Sequence, residues 1–295
     1  MAIKDTYQNW IRNPKSLPNS YCYVIAEIGI NHNGDIDLAK QLIGMAKGAG
    51  CDAVKFQKRT PEICVPIEQR DIPRETPWGV MSYFEYKKKI EFGHEEYSQI
   101  AAYCEKLQIE WSASAWDSPS QMFLRDFNLP FNKIASAMLT NIELLHLVAE
   151  EQKPTFVSTG MSTLQQIDLA VGIFESKKCP IVLMHTVSTY PTQLSDLNLR
   201  MIETLRNRYP KIPIAYSGHE SNVSPSIIAV SLGAVAIERH ITLDRSAFGS
   251  DQSASLEKRG LEKLVNEIRR VPQVLGDGVK VITEKEFEIA KKLRY

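Results

Sequence analysis

The sequence predicts a (β/α)8 TIM barrel, an α/β fold in which eight parallel strands alternate with eight helices. Short apolar runs typical of buried strands recur eight times, and stretches with helical spacing of apolar residues separate them. The length of 295 residues suits one barrel domain of about 250 residues. An open, doubly wound sheet is the rival architecture, but no GxGxxG turn follows the first strand.

The predicted strands carry polar side chains at or near their ends. In a parallel barrel the carboxyl ends of all strands surround one mouth, so side chains that are distant in sequence converge there. The predicted strands are residues 23–30, 53–57, 110–115, 133–137, 154–159, 181–186, 213–218 and 236–241.

The stretches between the strands have the periodicity of amphipathic helices. The first, residues 35–49, places its apolar residues on one face, and Gly48 and Gly50 end it. Several others begin at a Ser, Thr, Asn or Asp that can cap a helix. The remaining predicted helices are residues 95–107, 118–127, 141–150, 163–174, 197–209, 224–232 and 256–271.

The domain organisation predicted is an N-terminal extension (1–20), a catalytic barrel (21–285) and a C-terminal tail (286–295). The extension is expected to lie over the outside or the bottom of the barrel. The long connection after the second strand, which contains Arg59, Arg70 and Arg74, is predicted to be a lid or a binding loop, although a plain surface excursion is the alternative. Residues 243–255 are also expected to overhang the mouth.

Composition gives no sign of a nucleic-acid or membrane partner. Lys plus Arg and Asp plus Glu balance at 35 each, so the chain has no net positive charge that would attract polyanions such as nucleic acids. The five cysteines form no CxxC pair, which argues against a zinc knuckle and favours a reduced compartment. No stretch approaches the roughly 18 apolar residues of a membrane helix. These features predict a cytoplasmic protein.

Two histidines, His219 and His240, stand at the ends of neighbouring predicted strands. Adjacent strands lie about 5 Å apart, so two imidazoles could share one divalent cation and leave positions for water and a carbonyl oxygen. An imidazole-accepting metal such as Mn²⁺ or Zn²⁺ suits this pair best. A hydrogen-bonded structural pair is the alternative.

Lys55 and Lys133 lie within apolar strands, where a lysine is seldom buried without an anionic partner. Together with hydroxyls at strand ends, they predict a phosphate or carboxylate pocket. The alternative is a Schiff-base lysine, with the serines as small packing residues. The hydroxyls are Ser114, Ser136, Ser158 and Ser217.

Glu27 lies inside the first predicted strand, where a carboxylate is costly unless it faces the mouth as an acid/base or ion-pair partner. Glu238 alternates with His240 and is expected to share its face. The intervening Arg239 is expected to point outward. Glu27 is the better candidate for catalysis.

Seven motifs then appear in order along the chain. With them the sequence resembles the sialic acid (N-acetylneuraminate) synthase family, whose members condense phosphoenolpyruvate with a hexosamine aldehyde. The motifs are Ala-Glu-Ile-Gly-Ile-Asn-His at 26–32, Ala-Val-Lys-Phe-Gln at 53–57, Lys-Ile-Ala-Ser at 133–136, Val-Ser-Thr-Gly-Met at 157–161, Tyr-Pro-Thr at 190–192, Tyr-Ser-Gly-His at 216–219 and Ile-Glu-Arg-His-Ile-Thr at 237–242.

The resemblance implies a metal-dependent synthase that joins phosphoenolpyruvate to an open-chain aldose such as N-acetylmannosamine, with a sialic-acid-type 3-deoxy-2-ulosonic acid and phosphate as products. It implies that His219 and His240 hold the metal, with Mn²⁺ favoured over Mg²⁺, Co²⁺ or Zn²⁺, and that both act in catalysis with Glu27. The implied phosphoenolpyruvate ligands are Lys55, Ser114, Lys133, Ser136, Ser158, Ser188 and Ser217. The implied sugar ligands are Gln57, Tyr190 and Asp251. The resemblance also gives the expectation of a homodimer.

The sequence departs from the family pattern in three places, two of which concern the acceptor sugar and one of which concerns phosphoenolpyruvate. The printed sequence ends at Tyr295, so we expect it to lack the C-terminal antifreeze-like domain that reaches the sugar in the partner subunit. Met138 stands where the family has a sugar-binding glutamate, and Ser188 stands where it has an asparagine that helps hold phosphoenolpyruvate. Arg70 and Arg74 are hypothesised to supply replacement contacts within the same chain. A Schiff-base aldolase and a non-catalytic sugar-acid-binding paralogue remain as alternatives.

Overall fold

The computed structural model describes residues 2–12 and 21–295, and in it eight parallel strands close into a barrel. Around the barrel the order is β1-β10-β9-β8-β7-β6-β5-β2, while β3 and β4 form a separate antiparallel hairpin. The strands are β1 (Tyr23–Gly29), β2 (Ala53–Lys58), β3 (Pro73–Thr76), β4 (Gly79–Ser82), β5 (Glu110–Ala115), β6 (Asn132–Ile134), β7 (Thr155–Ser158), β8 (Ile181–Thr186), β9 (Ile214–Gly218) and β10 (Ala236–His240).

Helices surround the barrel, and their ends follow capping chemistry. Asp35 accepts hydrogen bonds from two backbone N–H groups of α2, and Gly50 ends that helix at φ 85°, where a side chain would be strained. The helices are α1 (Ile3–Arg12), α2 (Ile36–Ala49), α3 (Pro61–Cys64), α4 (Tyr83–Ile90), α5 (His94–Leu107), α6 (Ser118–Arg125), α7 (Ile142–Ala149), α8 (Leu164–Ser176), α9 (Met201–Arg208), α10 (Ser224–Ser231), α11 (Lys258–Leu275) and α12 (Glu284–Leu293).

The predicted barrel is confirmed, and all eight predicted strands are present, two with the predicted bounds and six with shifts at one or both ends. The strand predicted at 133–137 ends already at Ile134, because Ser136–Met138 forms a 3₁₀ turn. The helix predicted from residue 197 begins at Met201, after another 3₁₀ turn at Leu194–Asp196. The long connection after β2 is not structureless, since it contains α3, the β3–β4 hairpin and α4.

The bottom of the barrel is closed by aromatic side chains and by α1. The rings of Tyr23, Phe131 and Phe156 pack inside the barrel with centroids 5.3–6.3 Å apart. The Tyr7 hydroxyl of α1 donates to the carbonyl of Ile181, the first residue of β8. The described part of the N-terminal extension therefore lies across the amino ends of the strands, and residues 13–20 lie outside the described residues.

The C-terminal segment lies away from the core. None of the side chains of α12 is buried, and the predicted division between 285 and 286 falls inside this helix. The division of the chain into extension, barrel and tail stays a prediction. Within residues 2–12 and 21–295, no helix has the length and apolar character needed to cross a membrane.

Candidate active site

A cavity of about 250 Å³ opens where the carboxyl ends of the barrel strands meet. We call it the central cavity. The structure brings twelve of the thirteen sequence-predicted site residues to its lining. These are Glu27, Lys55, Gln57, Ser114, Lys133, Ser136, Ser158, Ser188, Tyr190, Ser217, His219 and His240.

Strand register brings two lysines and two glutamates together at the base of this cavity. Glu27 of β1 lies beside Lys55 of β2, and the Lys55 ammonium nitrogen is 2.5 Å from Glu27 Oε2. The Lys133 ammonium is 3.4 Å from Glu238 Oε1, and Glu238 Oε2 is 4.0 Å from Lys55. All four side chains are at most 5% exposed. Because a buried charge is costly without a partner, these pairings allow the cluster to form at all.

The two carboxyl groups of the cluster have opposite pKa shifts. Burial raises the pKa of Glu27 to about 7, and the attraction of Lys55 only partly opposes this effect. For Glu238 the penalty of burial is outweighed by Lys133 and Lys55, which hold its pKa well below the usual range. Two carboxyl groups whose pKa values are shifted in opposite directions are suited to different roles. Glu27 can exchange a proton near neutral pH, whereas Glu238 stays ionised beside the lysines.

Serine hydroxyls complete the walls around the lysines. Lys55 donates to Ser114 Oγ at 2.6 Å, and Lys133 donates to Ser158 Oγ at 2.8 Å. Ser217 Oγ donates to Glu238 at 3.1 Å. An ammonium group has three donors, so each lysine retains capacity for an added anion.

Ser136 and Ser188 flank a glycine that keeps the neighbouring space open. Ser136 Oγ accepts from the backbone N–H of Gly160 at 3.1 Å, whereas the buried Ser188 Oγ has no hydrogen-bond partner among the described residues. A Cβ atom at position 160 would collide with Ser188 Oγ and lie 2.8 Å from Ser136 Oγ. An unpartnered buried hydroxyl of this kind is suited to a ligand.

The two predicted metal ligands, His219 and His240, face each other with ring centroids 5.5 Å apart. His219 Nδ1 is 2.7 Å from the carbonyl of Val187, so this nitrogen is the donor and Nε2 carries the lone pair. Nε2 lies 3.0 Å from the Tyr190 hydroxyl. The buried His240 Nδ1 has no hydrogen-bond partner among the described residues.

Burial is the main cause that lowers the pKa of both imidazoles, to about 4 for His219. No group of three or more His, Cys, Asp and Glu in the described part of the chain is arranged to hold a metal ion. The pair nevertheless fits a cation with two protein ligands, because an imidazole fixed by a backbone carbonyl is the usual arrangement of a metal ligand. The other coordination positions would fall to water or substrate.

The three predicted sugar ligands are placed differently from one another. Gln57 donates to Glu27 Oε1 at 2.9 Å, and the Tyr190 ring lies 4.1 Å from that of His219. Asp251 does not line the central cavity, because its carboxylate lies beside the ring of His240, 3.7 Å from Nδ1. Its role as a sugar ligand stays a prediction. Met138, which stands where the family has a sugar-binding glutamate, packs against the hydrophobic core.

The hypothesis that Arg70 supplies contacts to the central cavity is wrong. Its guanidinium donates to the carbonyl of Glu62 at 2.6 Å and so stabilises its own loop. Arg74 lies over the rings of Tyr83 and Tyr86, each 5.2 Å away, and it does not line this cavity either.

Six lining residues are outside the predicted site: Glu238, Trp116, Thr186, Met161 and the small side chains of Ala135 and Ala137. Glu238 shares the face of His240, as expected from alternation along the strand, and the same alternation from Ser114 is a signal that could have found Trp116. Thr186 also ends a predicted strand. Met161 carries no such signal, since it follows β7 in a left-handed conformation at φ 59°. Arg239 points outward as expected and pairs with Glu220 at 3.0 Å.

Comparison with known proteins adds an independent observation. The model of the NeuB family matches residues 42–280. N-acetylneuraminate-9-phosphate synthase of Homo sapiens is 38% identical over 92% of this chain and 76% of its own length. The enzyme of the same name from Drosophila melanogaster is 43% identical over 83% of this chain and 67% of its own length.

Among solved structures, the N-acetylneuraminic acid (sialic acid) synthetase from Leptospira borgpetersenii, crystallised with citrate, superposes with a TM-score of 0.82. It is 34% identical, and the match covers 94% of this chain and 93% of that one. The similarity therefore extends over most of the barrel and is not confined to a single motif.

Proposed function

Because the chain belongs to the NeuB family, we propose that its central cavity condenses phosphoenolpyruvate with the open-chain aldehyde of an N-acylhexosamine such as N-acetylmannosamine. The observation that carries the proposal is the convergence, in one cavity, of two buried lysines, several hydroxyls, a carboxyl group with a raised pKa and two neutral imidazoles. The products would be a sialic-acid-type 3-deoxy-2-ulosonic acid and inorganic phosphate.

Phosphoenolpyruvate carries a carboxylate and a phosphate, and it needs cations and hydrogen-bond donors around both groups. Lys55 and Lys133 supply the cations, each with one hydroxyl partner that fixes its direction. Ser136, Ser188 and the open space at Gly160 supply a second polar wall. Binding of the anion also adds a negative partner for lysines whose anionic partners among residues 2–12 and 21–295 are Glu27 and Glu238.

The reaction forms one carbon–carbon bond and breaks one carbon–oxygen bond. Carbon 3 of phosphoenolpyruvate attacks the aldehyde carbon, and the aldehyde oxygen becomes a hydroxyl after it gains a proton. Water adds to carbon 2 and loses one proton, which balances the proton gained by the aldehyde oxygen. The new hydroxyl on carbon 2 then loses its proton as phosphate leaves with the bridging oxygen, so the ketone forms and the released phosphate carries that proton. No oxidant or reductant is needed. Holding both reactants in the orientation for reaction can lower the activation free energy by up to about 7–11 kcal/mol.

Glu27 is proposed as the group that moves protons at the reacting atoms. Its pKa of about 7 lets it accept a proton from water and return one at neutral pH. Gln57 holds one of its oxygens and Lys55 the other, so the carboxyl group is fixed in direction. Glu238 stays ionised and lies within 4.0 Å of both ammonium groups.

A divalent cation, with Mn²⁺ favoured, is proposed to bind His219 and His240, where it would serve as a Lewis acid toward the aldehyde oxygen. The Val187 carbonyl fixes the ring of His219 for this task. The proposed partners are thus the two small-molecule substrates. A homodimer, a cytoplasmic location and the absence of nucleic-acid and membrane partners stay predictions.

The test is release of inorganic phosphate from phosphoenolpyruvate, measured with a panel of aldoses that includes N-acetylmannosamine and its 6-phosphate. We expect release that depends on one of these acceptors, stops with chelator and returns with Mn²⁺. Full activity in chelator would overturn the metal assignment. Irreversible inactivation by borohydride in the presence of a carbonyl substrate would instead favour a Schiff-base aldolase that uses Lys55 or Lys133.

A further inference from the structure

A second cavity, of about 180 Å³, adjoins the central cavity and shares Trp116 with it. We call it the side cavity. It lies between the segment after β2 and helix α4, and its lining includes Arg59, Cys64, Tyr83, Lys87, Glu91 and Trp116. None of these residues has a role in the reaction proposed above.

Cations without an anionic partner gather at the side cavity. Lys87 of α4 lies 5.3 Å and 5.6 Å from the ring centroids of Tyr83 and Tyr86, and Arg59 stacks on Trp116 at 3.8 Å. Arg74 lies over the same two tyrosines. Neither Lys87 nor either arginine forms an ion pair with a carboxylate of residues 2–12 or 21–295.

The acidic groups nearby do not neutralise these cations. Glu91 lines the side cavity, but its Oε1 accepts from the ammonium of Lys58 at 2.9 Å and from the backbone N–H of Arg59 at 3.0 Å. Asp251 is directed to His240 and to the hydroxyl of Ser250. Burial lowers the pKa of Lys87 to about 8, and the positive charge of Arg59 is the next largest cause. An added anion would relieve both effects.

A chain of contacts joins the side cavity to the reacting centre. The Arg59 guanidinium donates to Gln57 Oε1, and Gln57 donates to Glu27. An acceptor whose aldehyde lies near Glu27 and the two histidines would therefore direct its far end past Gln57 and Trp116. The first cations that it would meet there are Arg59 and Lys87.

We propose that the side cavity binds the terminal phosphate of the acceptor sugar, so that the enzyme selects an N-acylhexosamine 6-phosphate over the free sugar. Arg59 contributes a planar donor fork and Lys87 a compact positive charge, which are the two side chains suited to phosphate. This inference rests on the proposed function, since the position of the aldehyde end is taken from it.

The test compares steady-state kinetics with N-acetylmannosamine and with its 6-phosphate in the wild type and in Lys87→Met. We expect the variant to raise the KM of the 6-phosphate about tenfold or more, because it removes a charged hydrogen-bond donor. The KM of the free sugar should change less than twofold. The control is Lys89→Met, an exposed lysine on the same helix, which should change neither value. Lys87→Arg should keep the preference.

Equal effects of Lys87→Met on both acceptors would overturn the side cavity as a phosphate site, as would a wild type that shows no preference. If no acceptor supports phosphate release, the proposed function fails instead. In that case calorimetric binding of N-acetylmannosamine 6-phosphate decides separately. Binding that Lys87→Met weakens and Lys89→Met does not would support the side cavity, and undetectable or unchanged binding would reject it. Thermal melts establish that each variant is folded.

Discussion

The two ends of the barrel interior are built by the same strands with opposite chemistry. At the bottom the inward side chains are apolar, and two residues further along the same strand the side chain is polar or charged. Examples are Ile25 followed by Glu27, Ala53 by Lys55, and Ala236 by Glu238. Successive inward positions of a strand are two residues apart, so the apolar layer at the bottom and the polar layer above it are formed by neighbouring inward positions of the same strand.

The difference shows how the fold accommodates buried charge. The aromatic layer at the bottom is closed by α1 and excludes water, so it supplies the burial energy of a core. The layer above contains four ionised or ionisable groups whose mutual attraction offsets their loss of hydration. The mouth is therefore expected to depend on charge balance, and the bottom on packing. Each prediction below tests this separation.

The largest expected effect is on turnover after His219→Ala. The variant removes a proposed ligand of the cation, whose effect on the reacting oxygen is worth several kcal/mol, so kcat should fall at least about 10³-fold. The free energy of unfolding should change little, because the ring faces a cavity. His146→Ala, at an exposed position on α7, is the matched control. Retention of full kcat in the His219 variant would remove the histidine pair from the mechanism.

The next effect is on stability and is obtained with Lys133→Met. Loss of Lys133 leaves buried Glu238 with the Ser217 hydroxyl and, as its one lysine partner among the described residues, Lys55 at 4.0 Å, so urea unfolding should show a loss of about 3–5 kcal/mol. The double variant Lys133→Met, Glu238→Gln should recover most of this loss without recovering activity. If the double variant is no more stable than the single one, charge balance is not what stabilises the mouth.

A smaller effect is expected at the bottom with Phe156→Leu. The substitution leaves a small void among Tyr23 and Phe131 but no unpaired charge, so the loss in unfolding free energy should be about 1–2 kcal/mol. The kcat and KM of the folded enzyme should stay within about twofold of the wild type. A large change in kcat would show that the two layers are coupled and would break the comparison.

The alternation that separates the two layers is also what made the fold and much of the site predictable. Each barrel strand contains a short apolar run, and the polar residues toward its carboxyl end reach the mouth, so closure of a barrel brings Lys55, Lys133 and the two histidines together. The neighbouring order of β9 and β10 was enough to pair His219 with His240.

What could not be predicted depends on contacts between elements far apart in sequence. The sequence contains Glu238 but not the barrel register that places its carboxylate near both lysines. The side cavity depends on the packing of α4 against the loop after β10, where Tyr86 contacts Phe248 with ring centroids 5.6 Å apart. The spacing of residues in the connection after β2 does not reveal how α4 packs. The sequence therefore led to Arg70 as the residue that contacts the acceptor, whereas Lys87 is the residue that lines the side cavity.

The smallest expected effect extends the comparison from the mouth to the side cavity and concerns pH. The pKa of Lys87 is lowered to about 8 by burial and by Arg59, so its ammonium loses a proton as the pH rises through that value. Arg74, Asp251 and Glu91 are the other charged groups that face it. The sugar phosphate is already almost fully ionised there, because its second pKa is near 6. Between pH 7 and pH 9 the KM of the 6-phosphate should therefore rise several-fold relative to that of the free sugar.

The ratio of the two KM values is the quantity to measure, since changes in Glu27 or in metal binding affect both acceptors alike. Lys87→Arg should abolish the rise, because a guanidinium keeps its charge throughout this range. A ratio that is constant with pH in the wild type, or that rises equally in the Lys87→Arg variant, would show that another group binds the acceptor's phosphate. The side cavity would then be a gap in the packing without a role in acceptor binding, and selectivity for the acceptor would have to arise within the central cavity.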